Sequence, residues 1–257
     1  MISIIIPTYR PDKYIISCLD ALAKQTISIF DFEVIIILNG QQFPYEALIK
    51  DLIYKYKFKI NYFYTNITGV SNARNIGLKV SIGEYIIFLD DDDILSPNYL
   101  KTMLKKAKPS CIVASNVYSF YNEVNENISD YLSYKKLGPS ILERRKYLSN
   151  ACCKLIPRDI ISTKRFNVNF KNGEDALFMF SISNNIKQII IEKDCTYYRR
   201  LRSNSASRKK ISFTNRIKRI FKQQKEYTKI YLTRPYEYNF LLYFSRLLAV
   251  LKNNILF

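Results

Sequence analysis

Apolar residues in the first 110 positions of this 257-residue chain follow two alternating patterns. Ile2 to Ile6, Phe32 to Leu38, Lys59 to Tyr64 and Gly83 to Leu89 are short runs rich in β-branched and aromatic residues, the mark of buried strands. Between them the spacing turns helical. Ile15, Ile16, Leu19, Leu22 and Ala23 share one face behind Asp12, a candidate cap. Tyr45 to Tyr56 and Asn72 to Val80 repeat the pattern, the latter opened by Gly69-Val70-Ser71. Pro7 is expected to stop the first strand, and Asn39-Gly40 to turn the chain after the second. Ser96 as N-cap and Pro97 at the first helical position start a further helix. Alternation at this pace predicts βαβ crossovers and an α/β fold with a mainly parallel sheet.

After Lys108-Pro109 the pattern loosens. Cys111 to Ser115 reads as a strand, residues 116–138 as a hairpin or loop, Ile141 to Leu148 as a short helix and Ala151 to Ile156 as a strand. Gly173-Glu174-Asp175 opens a helix, Gln188 to Ile191 and Cys195 to Tyr198 are closing strands, and the chain from Ser212 is helical.

Charge changes this picture in two places. Asp90-Asp91-Asp92-Asp93 stand at the C-terminal end of a buried strand, where α/β sheets bind ligands. Four adjacent carboxylates repel one another unless a cation sits among them, and hard oxygen ligands select Mg²⁺ or Mn²⁺. The chain also carries a net charge of +18, with 15 of its 40 basic but only two of its 22 acidic residues beyond residue 198. That asymmetry points to an anionic partner for the tail. With no histidine, acid–base work falls to carboxylate, Tyr, Lys or Cys. Five cysteines without a CxxC spacing read as reduced, buried thiols, and Met1 leads straight into a strand pattern rather than a signal peptide.

Ile4-Ile5-Ile6-Pro7-Thr8-Tyr9, Gly69-x-Ser71-x-Ala73-Arg74-Asn75-x-Gly77, the acidic run and Gly173-Glu174-Asp175 occur in that order. Together they resemble an inverting family 2 glycosyltransferase with the GT-A fold, over about residues 1–205. The resemblance implies a catalytic domain over 1–212, with a nucleotide-sugar-binding half (1–110) and an acceptor-binding half (111–212), followed by a basic amphipathic helical tail (213–257). It puts the metal ligand of a "DxD" motif at Asp92, with Asp90 or Asp91 near the ribose or a metal-bound water, and Mn²⁺ or Mg²⁺ as cofactor. Pro7, Thr8 and Tyr9 resemble the segment that packs on the base. Arg74 and Asn75 border the donor, with an ion pair to the acidic run as the other role for Arg74. Asp175 resembles the catalytic base. Tyr197 to Ser205 resembles a basic strand and loop over the donor, with Arg199, Arg200 and Arg202 as candidates for the diphosphate.

One turn departs from the pattern. Where many relatives carry an acidic turn that reads uracil, this chain has Leu38-Asn39-Gly40-Gln41. Asn39 offers both a donor and an acceptor to a base edge, which leaves uridine, thymidine, guanosine and cytidine donors open.

The implied activity is transfer of a sugar from a nucleotide diphosphate to a hydroxyl of a glycan or lipid-linked acceptor, in surface polysaccharide assembly. The setting would be the cytoplasmic face of the membrane. Arg246 splits the apolar runs of the tail, so its helices are expected to lie on an anionic membrane surface rather than cross it. Packing on the catalytic domain, or on a partner in a homo-oligomer, is the alternative. The sequence also bears on two rival functions. A nucleotidyltransferase would need a Gly-rich phosphate loop after the first strand, and Pro7-Thr8-Tyr9-Arg10-Pro11 is not one. A basic nucleic-acid- or membrane-binding module explains the tail but not the acidic strand end, so no nucleic-acid partner is expected.

Overall fold

The structure, a computed structural model, describes residues 1–202 and 212–255. Its elements run β1 (Ile2–Thr8), α1 (Tyr14–Ala23), β2 (Phe32–Asn39), α2 (Tyr45–Ile53), β3 (Ile60–Thr65), α3 (Val70–Val80), β4 (Tyr85–Phe88), β5 (Ile94–Leu95) and α4 (Tyr99–Lys105). They continue with β6 (Cys111–Phe120), β7 (Ile128–Ser129), β8 (Lys154–Pro157), α5 (Arg158–Ile161), α6 (Glu174–Ser181), β9 (Gln188–Arg200), α7 (Phe213–Thr233) and α8 (Phe240–Ile255). One sheet has the order β3-β2-β1-β4-β8-β6-β9-β5, with β7 on β6. β3, β2, β1 and β4 are parallel, as are β6 and β9; β8 joins the two groups antiparallel to β4 and β6. The α/β expectation is borne out.

β1 and β2 are buried along their whole length, which is why they read as mainly apolar runs, with buried Ser3 donating to Glu33 (2.7 Å) between them. Pro7 does not stop β1. The carbonyls of Met1 and Ile5 face β4, accepting from Tyr85 and Leu89, so Pro7 faces the same side, beyond the last paired residue of β4. Its missing N–H therefore costs no ladder bond. Gly77 explains part of its motif: a Cβ there would lie 2.4 Å from Ile5 Cγ2, so only glycine lets α3 approach β1 this closely.

Four further expectations change. Ser96 is not the N-cap of α4, because its hydroxyl accepts from Thr196 N–H (3.0 Å) and ties β5 to β9; the helix begins at Tyr99. β6 runs on to Phe120 because Ser115, Asn116 and Ser119 are buried and satisfied: Ser119 donates to Asp130, and Asn116 Oδ1 accepts from Tyr134 N–H. The two closing strands are one, β9, with its irregularity opposite Ser115 and Asn116. The short helix expected before Leu148 is a 3₁₀ turn over Arg145–Leu148.

The tail forms two helices that pack on each other and on α6. Tyr231 stacks on Tyr243 (4.4 Å), and Phe180 of α6 lies against Tyr227 and Tyr238 (both 5.3 Å). Arg246, the residue that interrupts the apolar run, is buried against the Arg145–Ser149 segment. One face of the tail is therefore committed to its own domain. Among the described residues, no helix is long and apolar enough to cross a membrane.

Candidate active site

The acidic run leaves β4 at the sheet's C-terminal edge, and its four carboxylates have different surroundings. Asp93 is buried, accepting from Tyr197 OH (2.6 Å) and Arg200 N–H (2.8 Å); burial, then the neighbouring carboxylates, push its pKa well up. Asp91 accepts from the Thr8 hydroxyl, and burial raises its pKa to about 7. Asp92 lies 2.6 Å from Arg202 Nε, and it too is raised, by burial and then by Asp90. Asp90, the most exposed of the four, accepts from Arg74 Nη2 (3.0 Å).

Arg74 is the hub. It projects from α3 and is only 3% exposed, with its guanidinium over the Phe88 and Phe166 rings. Nη1 donates to Asp175 Oδ1, so one side chain joins the acidic run to the first turn of α6. Although burial alone would lower its pKa, Asp175, Cys152 and Asp90 together raise it. Asn75 supports this arrangement from below: its amide makes two hydrogen bonds to the Phe166 backbone (2.8 and 2.9 Å), and Phe166 stacks on Phe178.

Asp175 has a second donor. Oδ2 accepts from Ala151 N–H at 3.1 Å. The neighbouring Glu174 has its pKa raised by burial and by Asp175. Thus Asp175, not Glu174, is the carboxylate aimed at the acidic run.

The basic strand divides between two faces, as adjacent strand residues must. Arg199 turns away and pairs with fully buried Asp130, so it does not join the acidic group. Arg200 Nε donates to the Asp92 carbonyl (3.1 Å), and its guanidinium lies over Tyr14 and Phe120. Arg202 stacks on Tyr14 and lies near Asp12, Asp91 and Asp92. Ser203, Asn204 and Ser205 lie outside the described residues.

The base-side candidates are tied into the frame. Asn39 is buried, donating to the Thr8 carbonyl (2.7 Å) and accepting from Gly69 N–H (2.9 Å), so its amide joins two loops. Tyr9 is half exposed beside Gly40, and a Cβ on Gly40 would lie 2.9 Å from its ring. Sequence reasoning missed Tyr14, Asp12 beyond its capping role, the Ala151 N–H and Tyr197 as a partner of Asp93. Only Tyr197 lay within a quoted motif. All five cysteines are buried and unpaired.

Among the described residues, no three carboxylates or thiols converge as a ready-made metal cage. The donor set nonetheless fits a hard divalent cation that takes one or two protein carboxylates and completes its shell from phosphates and water. Burial, and then the neighbouring carboxylates, raise the pKa values of Asp91 and Asp92, a cost that a bound cation would relieve, and the buried Nε of Arg202 beside them has no aligned acceptor.

Residues 3–163 match the family model described as glycosyl transferase family 2. The chain belongs to that family. It is 29% identical over 210 residues to the minor teichoic acid biosynthesis protein GgaB of Bacillus subtilis, covering 80% of this chain and 23% of that protein. Glycosyltransferase GlyG of Streptococcus pneumoniae is 26% identical over 224 residues, covering 81% and 73%. The chain spans about a quarter of the length of the first curated relatives it matches. Among solved structures, Staphylococcus aureus TarS 1-349 in complex with UDP-GlcNAc superposes with a TM-score of 0.80 at 20% identity, covering all of this chain and 73% of that one. The mannosyltransferase PcManGT from Pyrobaculum calidifontis, in complex with GDP-Man and Mn²⁺, gives 0.65 at 14% identity, covering 98% and 69%. The architecture is therefore the GT-A fold expected for a family 2 glycosyltransferase.

Proposed function

We propose that this family 2 domain catalyses metal-dependent, inverting transfer of a sugar from a nucleotide diphosphate to a hydroxyl of a glycan or lipid-linked acceptor, in assembly of a cell-surface polymer such as a teichoic acid. The observation that carries this reading is Arg74, whose one guanidinium holds Asp175 on Nη1 and Asp90 on Nη2.

In this reading the nucleotide lies beyond the C-terminal edge of β1 and β4, its base against Pro7, Thr8 and Tyr9. Asn39 shapes that floor by fixing the Thr8 and Gly69 loops. Asp90 and Asp91 border the ribose and phosphates, and Arg202 leaves the carboxylates for the diphosphate, where its fork makes charge-assisted bonds. Asp92 would hold Mn²⁺ or Mg²⁺. The ion supplies Lewis-acid stabilisation of the departing diphosphate. Arg74 and the Ala151 N–H hold Asp175 in place, one on each oxygen, and Asp175 takes the acceptor's proton as the hydroxyl attacks the anomeric carbon.

The outward faces of α7 and α8 expose Ile217, Phe221 and Leu232, and Phe240, Leu241, Phe244 and Leu248, beside Lys218, Lys225 and Lys229. Apolar side chains among cations suit the interface of an anionic membrane, which would hold the enzyme at the inner face of the cell membrane beside a lipid-linked acceptor. Liposome flotation at low salt checks this: binding should need anionic lipid and fade at high salt. A tail that ignores such vesicles and instead holds two copies together would overturn it.

The catalytic reading is tested by screening UDP-, GDP-, dTDP- and CDP-sugars for slow hydrolysis with Mn²⁺. At least one should release sugar only with metal, and Asp92→Ala should abolish release. Salt-dependent DNA binding with no hydrolysis of any donor would replace the transferase by a nucleic-acid module.

A further inference from the structure

The two C-terminal helices reach the catalytic domain at places that flank the Asp175 carboxylate. On one side, Arg246 of α8 donates from Nη1 to Ser149 Oγ (3.0 Å) and from Nη2 to the Arg145 carbonyl (2.7 Å). Two residues beyond Ser149, the Ala151 N–H donates to Asp175 Oδ2. On the other side, Gln223 of α7 donates to the Asn172 carbonyl (2.9 Å), directly before Gly173. Gly173 has φ +78° and launches α6, and a Cβ there would lie 2.5 Å from the Gln223 amide nitrogen. Lys222 donates to the Asn169 carbonyl (2.8 Å), and Tyr238 OH donates to the Ser181 carbonyl at the far end of α6 (2.8 Å).

Arg246 is an expensive way to cover a core. It is 5% exposed, burial lowers its pKa, and among the described residues its hydrogen-bond partners are a hydroxyl and a carbonyl, not a carboxylate. A leucine or methionine would fill the same space without an uncompensated charge. What the guanidinium adds is a fixed geometry for the segment leading to Ala151. Gln223, also buried, does the same for the turn leading to Glu174 and Asp175.

We infer that Arg246 and Gln223 are positioning residues, through which the tail sets the direction of the Asp175 carboxylate. The inference rests on Asp175 being the base. It makes the tail part of the catalytic apparatus, whatever its outer face binds.

The test uses the full chain and the donor identified by the hydrolysis screen. Arg246→Met removes both donors at similar volume, Gln223→Leu removes one hydrogen bond, and Arg246→Lys keeps the charge with a single reach. Rates are normalised to nucleotide-binding sites counted by calorimetry, so loss of folded protein does not register. Arg246→Met and Gln223→Leu should lower kcat about tenfold or more while donor KM stays within about twofold, because a misaimed base affects the reacting centre alone. Arg246→Lys should recover part of the loss. If Asp175→Asn is inactive but both apolar variants keep parental kcat per site, or lose kcat and donor affinity together with no recovery in Arg246→Lys, the positioning role is refuted. If Asp175→Asn itself turns over normally, the base assignment fails first and takes this inference with it.

Discussion

The acidic run after β4 and the acidic pair opening α6 look alike in sequence, yet the fold treats them in opposite ways. Asp91, Asp92 and Asp93 are crowded, buried and pushed up in pKa, with Arg202 the nearby cation for two of them. Asp175 is held by a buried arginine on one oxygen and a backbone N–H on the other. The first cluster is short of positive charge; the second has one carboxylate whose charge is already balanced. A site short of positive charge suits a metal and a diphosphate, and a balanced, oriented carboxylate suits a base.

The largest effect should come from breaking the second cluster. Asp175→Asn should lose about a thousandfold in turnover with donor affinity intact, since an amide cannot accept the proton. Glu174→Gln should stay within about tenfold, and steady-state kinetics on both variants checks the order. A collapse in Glu174→Gln alone would move the base by one residue. Cutting the link between the clusters is next. Arg74→Met leaves Asp90 and Asp175 without their shared cation and should cost about 3 kcal/mol of unfolding free energy in denaturant titrations.

The two arginines of β9 sharpen the contrast further. Arg199→Ala strands buried Asp130 and should destabilise by about 2 kcal/mol with little change in nucleotide affinity. Arg202→Ala, by contrast, should change stability by less than about 1 kcal/mol and weaken diphosphate binding about tenfold. Equal loss of nucleotide affinity in both would contradict the division of the strand. The smallest effect is expected at Asp93. Burial raises its folded pKa, so the unfolded chain ionises first and stability falls as pH rises above about 4. Asp93→Asn removes that loss, and the variant should gain on the parent from pH 4 toward neutrality in pH-dependent melts. A gap that narrows toward neutrality would show that Asp93 is ionised in the fold.

How far this was legible in the sequence follows the burial of polar groups. β1, β2 and β4 could be read directly because buried strands are mostly apolar, and half-buried β3 because its isoleucine and aromatic residues still mark a strand. β6 was cut short because Ser115, Asn116 and Ser119 are polar but satisfied inside. Motif order pointed to Asp175 and Arg74, but their contact spans 101 residues and no local pattern encodes it. Strand alternation separates Arg199 from Arg200, but which one faces the acidic run depends on Asp130, whose burial the loose second half concealed. The tail was read as amphipathic from its charges, whereas the use of Arg246 depends on a loop 97 to 101 residues away.

The central claim is that the two acidic clusters have separate tasks, donor and metal on one side and proton transfer on the other. Calorimetric titration of UDP and GDP, with and without Mn²⁺, into Asp92→Ala and Asp175→Asn addresses it most directly. Metal-enhanced nucleotide binding is expected at parental strength in Asp175→Asn, and the metal enhancement is expected to be lost in Asp92→Ala. Metal-enhanced binding that survives in Asp92→Ala and disappears in Asp175→Asn would contradict it.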